Sequence, residues 1–364
     1  MDLSRLLRFN YQHNWSRGFT RLFLTCLIFL LTACRSAALT TNSKPTPIGR
    51  PGSTPPAEQP TPTAVSTATG TPSPFPTIPP TPTEKVADVT ETAVFTPHPK
   101  ATTPPTATPH ADINGVYPAD FIVLPPAAIT RMQTVYARGQ ENWRVATRFS
   151  KLGDSITATP SFLTPFDQPS AYLLGDYDYL QPTIDHFAGS WQRYGVAIRA
   201  GLHAWSVFDP LWADKEWCEP NEDMLTCEIR LNNPAIMLVQ LGSNDASPNF
   251  DIPLRDIVHT CMDAGVIPVL ITKADRHEGD DNRNNEAVRL VAAEEDVPLL
   301  EFDLIADALP GRGLGEDDVH LTVPPNYDYT SPEVMTSGQA AQNLAILFML
   351  DALREQVIAV GADS

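Results

Sequence analysis

"AIMLVQLGSND", Ala235 to Asp245, is a seven-residue run, apolar but for Gln240, closed by Gly-Ser-Asn-Asp. A run this short, with no polar alternation and ended by turn residues, predicts a strand buried on both faces. Two runs of the same kind follow, Val266 to Thr272 (VIPVLIT) and Val297 to Phe302 (VPLLEF). Between them, Leu254 to Ala264 and Asn285 to Glu295 carry apolar residues at helical period. Strands buried on both faces and joined by helices form a parallel sheet covered on each side. The expected fold class is therefore α/β, a three-layer α/β/α sandwich around a central, mostly parallel sheet. A last helix, from about Ser337 to Val360, contains only the short apolar run Leu344 to Leu350, so it is expected to pack on the sheet and not to cross a membrane.

The chain around these elements has 364 residues, 42% hydrophobic and 19% charged, enough for one or two domains with a real core. Its 36 prolines are unevenly placed: eighteen fall between Pro45 and Pro109, alternating with Thr, Ser and Ala. That segment cannot bury a core. Before it, Arg5, Arg8, Arg17 and Arg21 precede the apolar run Leu22 to Leu31, which is too short to span a bilayer and reads as an export signal. The run ends in Leu31-Thr32-Ala33-Cys34, which resembles the lipobox of bacterial lipoproteins, where the cysteine is lipidated and becomes the first residue. An ordinary secretory peptide that happens to carry a cysteine is the alternative. The expected organisation is a signal peptide at 1–33, a Pro/Thr-rich tether at 34–113 and a folded domain at 114–364. Extended at about 3.1 Å per residue, residues 37 to 113 reach at most about 240 Å. Residues 1–110 carry nine Lys and Arg against five Asp and Glu, so of the chain's −18 the remainder holds −22. A field of that sign repels nucleic acid and anionic polymers, and a solvated acidic surface is its simplest meaning.

In open parallel sheets ligands bind beyond the carboxyl ends of the strands. Three such places carry polar chemistry. Val145 to Leu152 leads into Gly153-Asp154-Ser155, the first strand leads into Gly242-Ser243-Asn244-Asp245, and a late loop holds Asp317-Asp318-Val319-His320. Taken singly, each is also an ordinary turn or solvated loop. Together, in the chain order Ser, Asn, Asp, His, they resemble the SGNH (GDSL) hydrolases over roughly Val145 to Leu321. The resemblance implies a flavodoxin-like SGNH hydrolase fold, Ser155 as nucleophile, His320 as base and Asp317 as its orienter. It also implies an oxyanion hole made by the Ser155 N–H, the Asn244 amide and a glycine, either Gly201 or Gly195, of which Gly201 is preferred. No metal and no cofactor belong to this reading.

Those residue types suit that chemistry. A serine hydroxyl is a poor nucleophile at neutral pH and needs a base within hydrogen-bond reach, a task that imidazole fits. A carboxylate three residues before His320 can hold its other nitrogen, fix the tautomer and stabilise the imidazolium as it forms. The tetrahedral oxyanion needs donors already in place.

Other features carry weaker expectations. Lys151 is out of character in a central strand and has to lie at the sheet's rim or find a carboxylate. Gly311 to Gly315 resembles a nucleotide-binding turn but opens no helix, so a flexible loop is expected. Asp275 to Asp281 lacks the ligand spacing of a calcium or zinc loop and reads as a solvated loop bordering the site. His203 is read as structural before substrate-binding, and Tyr327 and Tyr329 are candidates for one wall of the pocket. Cys218 and Cys227 bracket an acidic loop, and export makes a disulfide between them plausible, with Cys261 buried in its helix.

The reading is an extracellular serine esterase, tethered to the cell membrane at its extracytoplasmic face by a lipid on Cys34. It acts as a monomer, without nucleic-acid partners, on an ester such as an acylated carbohydrate. A non-catalytic carbohydrate-binding module on the same fold and a lipid acylhydrolase are the alternatives.

Overall fold

The run that reads as a buried strand forms one. In the computed structural model, which describes residues 112–362, all seven residues of Pro234–Gln240 are buried. The signal segment, Cys34 and the proline-rich tract lie outside the described residues. Along the chain come β1 (Ile122–Val123), α1 (Pro126–Glu141), β2 (Val145–Gly153), β3 (Tyr172–Leu173) and α2 (Met224–Asn232). They are followed by β4 (Pro234–Gln240), α3 (Asp251–Asp263), β5 (Ile267–Ile271), α4 (Arg283–Glu294), β6 (Leu299–Leu300), β7 (Tyr327–Asp328) and α5 (Gly338–Leu353).

Five strands make the central sheet in the order β1-β6-β5-β4-β2. All its pairings are parallel except that of β1 with β6. Every residue of β4 and β5 is buried, which requires cover on both faces. Helices α3 and α4 pack on each other and on β5; α5 reaches β6, and α1 packs on β5 and on the turn Arg354–Ile358 that extends α5. This is the three-layer α/β/α arrangement. Among the described residues no helix is long and apolar enough to cross a membrane.

The edge of the sheet beyond β2 decides where the site lies. Ile198 forms a parallel bridge with Gly153, on the side of β2 opposite β4. After β2 the chain therefore goes to one side, at Ile198, and then returns to the other side as β4. A crevice opens where the order reverses, and Ser155 follows the strand at that switch point. Gly153 is needed there, because a Cβ would stand 2.7 Å from the Gln240 carbonyl oxygen of the neighbouring strand.

Lys151 is neither at the solvent rim nor paired with a carboxylate. It is 4% exposed, and its ammonium donates to the carbonyls of Trp191 at 2.6 Å and Phe162 at 3.5 Å, 5.5 Å above the Phe162 ring. Burial pushes its pKa down to about 7, against the attraction of Asp167 and Glu228. The neighbouring Ser150 hydroxyl donates to Glu228 Oε1 at 2.6 Å. Glu228 is fully buried in α2; it also pairs with Arg193 and accepts from Val196 N at 2.8 Å, so it ties β2 to the segment leading to Ile198.

The insertion after His320 builds structure, not a pocket wall. β7 pairs in parallel with β3, and Tyr329 is buried, stacked on Phe166 and edge-on to Tyr177. Gly311 to Gly315 is likewise ordered. Arg312 adopts φ +60°, donates to Ala274 O at 2.8 Å and pairs with Asp303 and Asp307.

Candidate active site

The segment Gly153-Asp154-Ser155 leaves β2 into a single turn rather than a helix. Asp154 closes that turn: its carbonyl accepts from Ala158 N at 3.0 Å and Thr157 Oγ1 at 2.9 Å, and its Oδ1 accepts from Ile156 N at 3.0 Å. The turn leaves Ser155 partly exposed at the crevice.

The late loop reaches Ser155 from 165 residues further along the chain. An antiparallel bridge between Leu314 and Leu321 closes its base, and Gly315 N donates to His320 O at 2.7 Å. Asp318 takes φ +56°, a left-handed conformation that aspartate tolerates better than most residues. The chain thereby turns back so that Asp317 Oδ1 accepts from the backbone N–H of Val319 at 3.1 Å and of His320 at 2.9 Å. Its other oxygen lies 2.6 Å from His320 Nδ1, and His320 Nε2 lies 2.9 Å from Ser155 Oγ. The hydrogen bond from His320 is the main cause, with the two backbone donors, of an Asp317 pKa lowered to about 2. With Asp317 ionised, Nδ1 carries the proton and Nε2 accepts from the serine hydroxyl.

The turn after β4 completes the crevice. Gly242 has φ +121°, a conformation that side chains disfavour. Asn284 of α4 donates from Nδ2 to Gly242 O at 2.8 Å and Asp245 O at 2.7 Å, and Ser243 Oγ donates to Asp275 Oδ2 at 2.7 Å. Held this way, Asn244 Nδ2 points to Asp154 Oδ2 at 3.3 Å and Leu202 O at 3.4 Å. Both bonds are long and together engage both N–H groups of the amide, so they orient it weakly and one of them yields when an oxyanion takes its place.

The two candidate glycines differ. Gly195 packs against the carboxyl group of Glu228, in the buried network behind β2. Gly201, at φ +75°, has open space where a side chain would stand and directly precedes Leu202, whose carbonyl receives the Asn244 amide.

The surroundings of several site residues are set by packing that the sequence does not display. Asp154 is buried, and burial, reinforced by Asp275 and Asp245, pushes its carboxyl up to about 7. Asp245 is raised too, by burial, while both its oxygens accept from Ala204 N at 3.1 and 3.2 Å. The acidic loop after β5 is exposed at Arg276, His277 and Gly279 to Asp281, as expected, but Asp275 and the Glu278 carboxylate turn inward. Lys273 Nζ is buried between Asp275 Oδ1 at 3.0 Å and Glu278 Oε2 at 2.6 Å, so the cation those carboxylates hold is the protein's own. His203 stacks on Trp205 with ring centroids 5.7 Å apart and lies 3.9 Å from Asp245. Cys218 and Cys227 are joined with Cα atoms 5.4 Å apart, and Cys261 is free and buried. Cys218, Cys227 and Glu222 come close together, but the disulfide leaves no thiolate there to ligate a metal.

Comparison of the sequence with protein-family models and with curated proteins returns no match. Among solved structures the chain is similar to TesA, at 16% identity over 57% of this chain and 99% of that one, with a TM-score of 0.37. It is also similar to Axe2, an acetylxylan esterase from Geobacillus stearothermophilus, at 14% identity over 56% and 93%, with a TM-score of 0.36. A GDSL-like lipase from Bacteroides thetaiotaomicron is similar at 13% identity over 59% and 95%, with a TM-score of 0.34.

Proposed function

We propose that the protein is a serine esterase that hydrolyses O-acyl groups on a carbohydrate through an acyl-enzyme. The observation that carries this reading is the relay in which His320 bridges Ser155 at 2.9 Å and Asp317 at 2.6 Å. As Ser155 Oγ attacks the ester carbonyl, its proton passes to His320 Nε2, and the imidazolium is stabilised by ionised Asp317. The oxyanion is received by the N–H groups of Ser155 and Gly201 and by the Asn244 amide. Collapse of the tetrahedral intermediate breaks the ester C–O bond, and the departing alkoxide takes the proton from Nε2. Water then attacks the acyl-serine, gives a proton to Nε2, and the serine regains it as the acid leaves.

The protein acts as a monomer outside the cell, held at the membrane by a lipid on Cys34 and a proline-rich tether. The order Leu-Thr-Ala-Cys after a short apolar run supports this. A complete relay favours turnover over passive binding. The test is hydrolysis of short p-nitrophenyl esters and of acetylated sugars by the parent and by Ser155→Ala. Loss of activity in the variant is expected; equal activity in both would refute the reading.

A further inference from the structure

Beside the crevice the surface opens into a cleft of about 890 Å³ that the ester chemistry leaves unused. Tyr194, Trp212 and Trp217 border it, with Tyr194 57% and Trp217 60% exposed. Clustered rings left in water mark a binding face, because their exposure costs hydration that folding does not recover. Arg199 and Lys215 also line the cleft. Arg199 lies 5.0 Å from the Trp212 ring and donates to Trp212 O at 2.6 Å. Lys215 donates to the carbonyls of Glu219 at 3.1 Å and Glu222 at 3.0 Å. Both cations are thus held by backbone carbonyls, with N–H groups remaining for a ligand. Asp214 supplies an acceptor on the same rim, one of its oxygens already taking Glu216 N at 2.9 Å.

The backbone joins the lining of the cleft to the site. Arg199 N donates at 3.0 Å to Gly153 O, two residues before Ser155. Trp212 meets Trp205 and His203 at 6.1 and 6.4 Å between centroids, and His203 follows Leu202, the acceptor of the Asn244 amide.

We propose that this cleft holds the neutral glycan chain of the ester substrate, stacking its sugar rings on Trp212 and Trp217 while an acylated unit sits at Ser155. This rests on the esterase reading. Flat rings set among donors and acceptors match the CH faces and hydroxyls of a sugar chain. An anionic polymer would meet the six carboxylates between Asp209 and Asp223 on a chain of net charge −18. A lipid surface would call for contiguous aliphatic side chains, whereas charged groups interrupt the rings here. The volume falls within the roughly 300–1,000 Å³ of small-ligand sites and exceeds the needs of a short acyl group.

The test uses the full chain with Ser155→Ala, titrated by tryptophan fluorescence with neutral xylo-, cello- and chito-oligosaccharides of two to six units. At least one series binds, with affinity rising with length, and Trp217→Ala or Trp212→Ala weakens it roughly tenfold or more. With Ser155 intact, each tryptophan variant lowers the preference for an acetylated oligosaccharide over p-nitrophenyl acetate by a similar factor. Failure of all three series to bind overturns the inference, as does binding untouched by both variants, or a response confined to anionic vesicles or acidic polysaccharide. Binding by a protein whose parent hydrolyses no ester would instead leave the glycan cleft standing and remove the esterase reading.

Discussion

Asn244 Nδ2 stands 3.3 Å from Asp154 Oδ2, so the amide that receives the oxyanion in the proposed mechanism is aimed by the carboxylate next to Ser155. A donor placed in advance by two long hydrogen bonds strengthens its contact only as charge develops on the substrate oxygen. Asn244→Ala is expected to lower kcat by roughly a hundredfold or more with little change in KM, measured on a short p-nitrophenyl ester. A rise in KM at unchanged kcat would place the amide in ground-state binding instead.

Lys151 predicts a pH dependence of stability. Its pKa is about 7 in the folded protein and near 10.5 when exposed, so between those values the unfolded chain binds the extra proton. Stability from this group is therefore fully present above the unfolded value and is lost as pH falls through about 7. Urea midpoints of the parent should rise from pH 7 toward 10, and Lys151→Met should flatten that rise. An equal slope in both proteins would show that the lysine is charged in the fold.

The disulfide between Cys218 and Cys227 anchors the segment carrying Trp217 to α2, beside Glu228. Closing so short a loop contributes about 2–3 kcal/mol through the unfolded chain. A non-reduced digest should yield the Cys218–Cys227 peptide pair. Cys261, whose thiol burial pushes up to about 12, should resist alkylation until the protein unfolds. A Cys218–Cys261 link would contradict this fold around α3.

What was legible in the sequence follows from how local each signal is. β4, apart from Gln240 at its end, and β5 are apolar because both their faces are covered, and such runs need no partner to be recognised. Gly242 to Asp245 could be placed after a strand for the same reason, whereas the strand before Gly153-Asp154-Ser155 is less legible because it carries Arg148, Ser150 and Lys151. β6 is shorter than its apolar run, since its strand pairing covers only Leu299 and Leu300 and the helix Phe302–Asp307 starts almost at once. β1, two residues between proline-started helices, has no periodicity to read. Lys151 looked misplaced because the carbonyls that hold it, from Phe162 and Trp191, become neighbours only on folding. The Lys273, Asp275 and Glu278 cluster looked like a solvated loop for a similar reason: only packing shows that all three are buried.

The proposed lipidation of Cys34 predicts that the mature protein partitions with membrane. Each buried CH₂ contributes about 0.8 kcal/mol, so two acyl chains anchor stably where one does not. Cys34→Ala should release the protein or leave its signal uncleaved. A variant processed and membrane-bound like the parent would contradict the anchor.

The most direct measurement of the central claim is reaction of the parent protein with a fluorophosphonate probe, read by peptide mass spectrometry and paired with ester hydrolysis by Ser155→Ala and His320→Ala. The predicted result is a single adduct on Ser155, with both variants folded and nearly inactive to a similar degree, because the two residues act as one unit. Parental hydrolysis by Ser155→Ala in protein free of contaminating esterase, or labelling at another residue, would contradict the account.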